Sequence, residues 1–285
     1  MKFSVSSYSF QRLLNNGTYT QRDLIAIAKD MGFDAVEYID LMPEDGMTDL
    51  EYARVLRAEA EKHGIEISAY TIGADFLKKD LDEEVKRLYG QVDVTEALGA
   101  KRMRHDATGG FPDNEAKYRG FDGALPILAE GCRRVTEYAA EKGIETMVEN
   151  HGYFCQDSVR VASLVNAVNH PNFGLLVDIG NFMCADDEPA AAVGRVAGFA
   201  KHVHAKDFIF KSGNGPDPGD GFFRTRGGNY LRGTVVGHGA VPVYQCIRTL
   251  KRSGYNGFVT VEFEGVEDNL WAIKTGLENL KKYSV

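Results

Sequence analysis

Long apolar runs are missing from this chain. No stretch of its 285 residues approaches the ~18 or more apolar residues of a membrane span, so no membrane partner is expected. The opening "MKFSVSSYSF" carries one lysine and alternating serines in place of an apolar leader, and no secretory signal is read there. Excess positive charge is missing too: 33 Lys and Arg stand against 41 Asp and Glu, a net charge of −8. That balance argues against nucleic acid as a partner, because a phosphate-backbone binder needs a basic face. Cysteine is sparse. Cys132, Cys155, Cys184 and Cys246 are scattered, with no C-x-x-C and no framework spacing, as expected of reduced thiols in a cytoplasmic protein. No glycine-rich dinucleotide loop follows the first strand, which weakens a doubly wound open sheet as a fold.

What is present suffices for a full core: 44% of the residues are hydrophobic and 26% charged. Short β-rich runs alternate with amphipathic helical stretches from one end to the other. The strand candidates are "KFSVSSY" from Lys2, "DAVEYI" from Asp34, "IEISAYTI" from Ile65 and "KRMRHDA" from Lys101, then "IETMVE" from Ile144, "FGLLVDI" from Phe173, "AKHVHAKDF" from Ala200 and "GFVTVEFE" from Gly257. Between them lie patterns such as "EYARVLRAEAEKHG" and "PILAEGCRRVTEYAAEKG". Four such helices end in Gly32, Gly64, Gly99 and Gly143, with the next strand two or three residues on. Strand, helix, glycine, strand is the rhythm of parallel βα units. Eight of them in a chain of this length predict an α/β fold: a closed (β/α)8 TIM barrel, one domain over residues 1–285.

One segment departs from the rhythm. Residues 211–240, "KSGNGPDPGDGFFRTRGGNYLRGTVVGHGA", are crowded with Gly and Pro and show no helical period. They follow the seventh strand, so in a barrel they hang over the catalytic face. The three arginines of "RTRGGNYLR" fit either a solvated loop or a lid that touches an anionic or polyhydroxyl substrate.

Barrel chemistry sits at the C-terminal strand ends. The fifth strand ends on Glu149 in "MVENHG", the sixth on Asp178 in "LLVDIGN", the seventh on His204 in "HVHAKD" and the eighth on Glu262 in "VTVEFEG". Taken singly, each is an ordinary turn, cap or core residue. Together they crowd three carboxylates into one cavity, a repulsion that a divalent cation removes, with the imidazole as a neutral fourth ligand. Such a set suits one Mn²⁺, Co²⁺ or Mg²⁺ ion, with Zn²⁺ a further choice. Glu264 competes with Glu262, because strand alternation puts both on the same face.

These strand endings, in this order, resemble the xylose isomerase-like TIM barrels, the sugar phosphate isomerase/epimerase group, over essentially the whole chain. The resemblance implies Glu149, Asp178, His204 and Glu262 as metal ligands, and it is the resemblance that prefers Glu262 to Glu264. It also implies Glu149 and Glu262 as the acid/base pair of a ketose epimerase. Four more residues are candidates for contact with substrate: His151, Lys206 (to stabilise an oxyanion), His238 and Glu37. Asn150, Asn181, Asp207 and His202 are candidates for a layer that orients the ligands. The expected activity is a divalent-metal-dependent isomerase or epimerase of a ketose or related keto-sugar. It lifts a proton next to a carbonyl through a metal-stabilised enediolate.

A dehydratase of an inosose-type keto-polyol is the alternative. An endonuclease-IV-like nuclease is disfavoured by the acidic balance and by Asn181, which stands where that group has a histidine. A carbohydrate-binding barrel without catalysis is disfavoured by four intact strand ends. The partner is a small sugar or keto-polyol, and a homo-oligomer is compatible with the sequence.

Overall fold

A computed structural model of the chain describes residues 1–284. Its frame is a closed barrel of eight strands: β1 (Lys2–Ser6), β2 (Ala35–Ile39), β3 (Glu66–Ile72), β4 (Arg102–His105), β5 (Glu145–Glu149), β6 (Phe173–Asp178), β7 (Ala200–Ala205) and β11 (Phe258–Val261). Neighbouring strands pair in parallel all the way round. The main covering helices are α2 (Asp23–Met31), α3 (Asp49–His63), α4 (Leu81–Leu98), α5 (Phe121–Glu141), α6 (Ser158–Val168), α7 (Pro189–Val196), α8 (Val243–Arg252) and α9 (Asn269–Tyr283). A short α1 (Gln11–Asn15) follows β1. The expected glycine stops are real: Gly32, Gly64 and Gly99 close α2, α3 and α4 in the left-handed conformation, which costs a residue without Cβ little. Thr48 and Glu51 start α3 with a reciprocal capping box. No helix is long and apolar enough to cross a membrane.

Two apolar layers hold the frame. The larger lies between barrel and helices. The smaller, Ala69, Met147 and Leu176, is fully buried and separate from it. Met147 and Leu176 stand two residues before Glu149 and Asp178, so by alternation they point the same way one level lower and floor the polar strand ends. Leu176→Ala at such a position costs about 2–5 kcal/mol.

The seventh strand candidate is in fact two elements. It breaks at Lys206: β7 stays in the barrel, while β8 (Asp207–Lys211) leaves it and pairs antiparallel with β10 (Tyr230–Thr234). β9 (Phe223–Arg224) completes a three-stranded sheet in the order β8-β10-β9. The segment 211–240 is therefore largely an ordered insert. Asp207 secures its return, accepting from the backbone N–H of Phe208, Gly237, Gly239 and Val241 at 2.8–3.0 Å. Its far end is tied across the barrel top: Asp186 accepts from Thr225 and Asn229 at 2.8 Å, and the Tyr153 hydroxyl donates to the Arg224 carbonyl at 2.8 Å.

The three arginines of the insert are occupied within the fold. Arg226 donates to Asp157 at 2.9 Å and to the Ala185 carbonyl at 3.1 Å, Arg224 lies over the Tyr230 ring, and Arg232 lies over Phe222. These contacts tie all three arginines to the protein's own residues. β10 also presses on the last strand end, since a Cβ at Gly233 would stand 2.7 Å from the Glu264 backbone.

Candidate metal centre

Register brings the four strand-end residues together. Glu149 pairs with Leu176, Asp178 with His204 and Thr260 with His204, so the C-terminal ends of β5, β6, β7 and β11 converge on one point. Ligand atoms of Glu149, Asp178, His204 and Glu262 all lie within 4.8 Å of one another, and all four residues are buried.

Each is held from behind. Glu149 Oε1 accepts from Asn181 Nδ2 at 3.0 Å, and its Oε2 accepts from Arg104 Nε at 2.7 Å, with a second Arg104 nitrogen also on it. Asp178 Oδ1 accepts from the backbone N–H of Gly180 and Asn181 at 2.8 and 3.0 Å. Asn150 clamps the same strand end through both the N–H and the carbonyl of Asp178. His204 Nε2 faces Glu37 at 2.8 Å. With the proton on that nitrogen, Nδ1 presents a lone pair to the centre, 3.5 Å from Glu262 and 3.8 Å from Glu149.

Two buried atoms of the cluster have no hydrogen-bond partner among the described residues: His204 Nδ1 and Asp178 Oδ2. Orphaned polar atoms in a buried site are costly unless a ligand completes them. Three carboxylates and one imidazole nitrogen, with one acceptor of each kind outside any hydrogen bond, fit a divalent cation.

Burial raises the Asp178 carboxyl well above the usual carboxylate range, and the nearby charges of Glu262 and Glu149 add to this against the pull of Lys206. Burial also works against an ionised Glu262, yet the charges of Lys206 and His204 prevail and hold it low. Burial disfavours charged His204, but Glu37 and Glu262 raise it well above its ordinary value.

The other expected residues divide. Asn181 donates to Glu149, and Asn150 holds the Asp178 backbone. His202 is fully buried, with Nε2 2.8 Å from Glu37 and 2.7 Å from the Thr260 hydroxyl, one layer below His204. Lys206 lies at the cluster, 2.6 Å from Glu262. His151 is about half exposed at the mouth, with Nδ1 3.1 Å from Asp106.

Three expectations need correction. Glu37 is fully buried beneath two imidazoles, behind His204 and away from the mouth; against burial, the His204 charge and both histidine hydrogen bonds hold its carboxyl at about 2. Asp207 points into the insert and orients no ligand. His238 is exposed, its ring edge against Trp271 of α9, with no contact to the cluster.

Sequence reasoning missed Arg104 and Asp106, although both lie in the quoted run "KRMRHDA". Arg104 spans Glu149, Asp106 at 3.3 Å and the Ile72 carbonyl at 3.1 Å. Alternation would have placed both at the mouth, but a cation-rich strand end gave no ligand signal. Glu264 is not in the tetrad; it pairs with Lys206 at 3.3 Å.

Comparison with known proteins agrees with this architecture. An inosose dehydratase of Clostridium beijerinckii is 23% identical over 244 residues, covering 82% of this chain and 78% of that protein. Among solved structures, the probable 3-DHS dehydratase AsbF of Bacillus anthracis superposes with a TM-score of 0.74 at 17% identity, covering 99% of each chain. The IOLI protein with a bound zinc atom superposes at 0.72 and 19% identity, covering 100% of this chain and 98% of that one. At these identities the two structures establish likeness of fold. The family model described as xylose isomerase-like TIM barrel matches residues 25–283, and the chain belongs to that family.

Proposed function

We propose that the protein is a metal-dependent dehydratase of a keto-polyol of the inosose type. The observation that carries this reading is the buried tetrad of Glu149, Asp178, His204 and Glu262, in which neither His204 Nδ1 nor Asp178 Oδ2 makes a hydrogen bond among the described residues. Similarity to an inosose dehydratase favours water loss over the other outcomes of the same chemistry.

A divalent ion held by the tetrad, Mn²⁺, Co²⁺ or Mg²⁺ before Zn²⁺, would supply Lewis-acid polarisation of a substrate ketone and so acidify the neighbouring C–H. The chain's own residues do the rest. Arg104 and Asn181 fix Glu149 in one orientation, so proton removal falls to a carboxylate that does not have to search for its position. Glu262 faces the same space from β11, with Lys206 beside it to balance its charge. Loss of the C–H proton to a carboxylate leaves an electron pair that forms the C=C bond as the β-hydroxyl departs. That hydroxyl needs a proton to leave as water. His151 stands at the mouth with Nδ1 on Asp106, which leaves Nε2 free to deliver it. Burial works against charging His151, but the Asp106 hydrogen bond and the Glu149 charge raise it overall.

Epimerisation is the second reading, favoured by one observation. Glu149 and Glu262 come from β5 and β11, with β6 and β7 between them, so they approach the cluster from opposite flanks. Two flanking carboxylates suit proton removal on one face and return on the other.

The test is turnover of Mn²⁺-loaded protein on an inosose and on free ketoses. Dehydration gives a product lighter by one water with a new conjugated absorbance, whereas epimerisation gives a product of unchanged mass. Neither product from any substrate, with the ion bound, would favour a binding barrel.

A further inference from the structure

The centre already contains one cation of the chain's own. Lys206 Nζ lies 2.6 Å from Glu262 Oε2, 3.5 Å from Asp178 Oδ2, 3.3 Å from Glu264 Oε2 and 3.4 Å from Asn181 Oδ1. The residue is 6% exposed, so these oxygens take the place of water around the ammonium. Its backbone is fixed as well: β7 ends just before it, and a Cβ on Gly180 would stand 2.8 Å from its carbonyl oxygen. Two of its three carboxylates, Glu262 and Asp178, belong to the tetrad. The third, Glu264, does not.

Negative charge on carboxylates crowded within 4.8 Å is self-repelling, and Arg104 answers only for Glu149. Besides His204, Lys206 is the cation that touches the remaining two among the described residues. We propose that Lys206 is an internal counter-ion. It holds Glu262 and Asp178 together in the ion-free protein, competes with the divalent ion for the same oxygens, and is kept close by Glu264 once the ion is bound. This rests on the metal reading above.

The inference fixes a sign. A lysine that only supports the site would loosen the ion when removed, whereas a competing counter-ion tightens it. Calorimetric titration of chelator-stripped protein with Mn²⁺ should show Lys206→Met binding the ion at least about tenfold more tightly than wild type. The same variant without ion should melt below wild type, with the gap closing when Mn²⁺ is added. Glu264→Gln should shift affinity the other way, weaker by about three- to tenfold, because the ammonium then has only ligand carboxylates to pair with.

Wild-type or weaker affinity in Lys206→Met overturns the counter-ion role, as does unchanged or tighter binding in Glu264→Gln. Should Lys206→Met fail to fold, the Glu264→Gln titration decides alone. Wild type that takes up no Mn²⁺ overturns the metal reading together with this one. Wild type that binds while Lys206→Met does not tighten overturns only this one.

Discussion

Glu37 and His204 are 167 residues apart in the chain, yet the Glu37 carboxylate sits 2.8 Å from His204 Nε2 and leaves only Nδ1 to face the carboxylates of the centre. Both partners are buried, so the imidazole can neither turn over nor drift. Glu37→Gln should therefore weaken binding of a divalent ion about 10- to 100-fold, the usual cost of losing a group that orients a metal ligand. Circular dichroism should show an unchanged fold, and calorimetric titration measures the loss. Affinity equal to wild type would mean that His204 needs no such support.

A second set of potential ligands, Glu37, His202 and His204, lies just below the tetrad. The atoms that converge there already pair with one another, because both Nε2 atoms face the Glu37 carboxylate. One tightly held ion per chain is the expected stoichiometry, measured by elemental analysis of protein purified without chelator. Two or three stoichiometric ions would turn the reading towards a multi-metal nuclease.

Much of this centre was legible in the chain because barrel topology makes consecutive strand ends neighbours. Glu149, Asp178 and His204 each end a short aliphatic strand that the βα rhythm brings together, whereas the choice of Glu262 over Glu264 came from the family resemblance and not from alternation. Glu37 was visible only as a polar residue on an early strand. Its pairing with His204 depends on how deep each side chain points inside a closed barrel, which spacing along the chain does not encode. The insert sheet was hidden for another reason: β9 has two residues, and Gly and Pro around it mask any alternation. Arg104 was hidden by its neighbours in "KRMRH", where three cations in five residues read as a solvated strand end.

Glu149→Gln and Glu262→Gln should each lower turnover by about 10²- to 10⁴-fold or more, since an amide neither transfers the proton nor ligates well. Their stabilities should differ. Glu149→Gln leaves buried Arg104 with Asp106 at 3.3 Å as its only carboxylate, and breaking a buried pair costs up to about 3–5 kcal/mol. Glu262→Gln leaves Lys206 with Glu264 at 3.3 Å and Asp178 at 3.5 Å and should cost less. Urea denaturation of the two ion-free variants measures the difference, and equal losses would remove Arg104 from this account.

Ion affinity should fall as pH falls. Burial and the neighbouring Glu262 and Glu149 charges hold the Asp178 proton to higher pH than usual. His204, against its burial, is kept charged by Glu37 and Glu262. Both folded-state values are raised, so the ion-free protein keeps these protons to higher pH than an unfolded chain would. Their stabilising effect is full at low pH and is lost as pH rises through the folded values. A divalent ion needs both groups deprotonated, so binding must expel the protons and is opposed as pH falls towards 6. Titrations in buffers of different ionisation heat should show net proton release on binding. Affinity independent of pH from 8 to 6 would contradict the ligand roles of Asp178 and His204.

Proton exchange reaches the mechanism without knowledge of the natural substrate. In dehydration, epimerisation and isomerisation by proton transfer alike, a carboxylate must first lift a proton from the carbon beside the ketone. Incubation with a panel of inososes, ketoses and keto-acids in deuterated water should therefore place deuterium at that carbon, read by NMR as loss of the proton signal. Exchange should vanish with chelator and return with Mn²⁺ or Co²⁺. It should appear even on compounds that are converted slowly, since it needs only the first half of the cycle. His151→Gln separates the halves further: removing the proposed donor to the leaving hydroxyl should slow water loss by about 10²-fold or more while exchange persists. If exchange and water loss fall together in that variant, His151 serves substrate binding and not proton delivery. Conversion of any substrate with no deuterium incorporated would replace proton abstraction with a hydride shift or a sequestered proton.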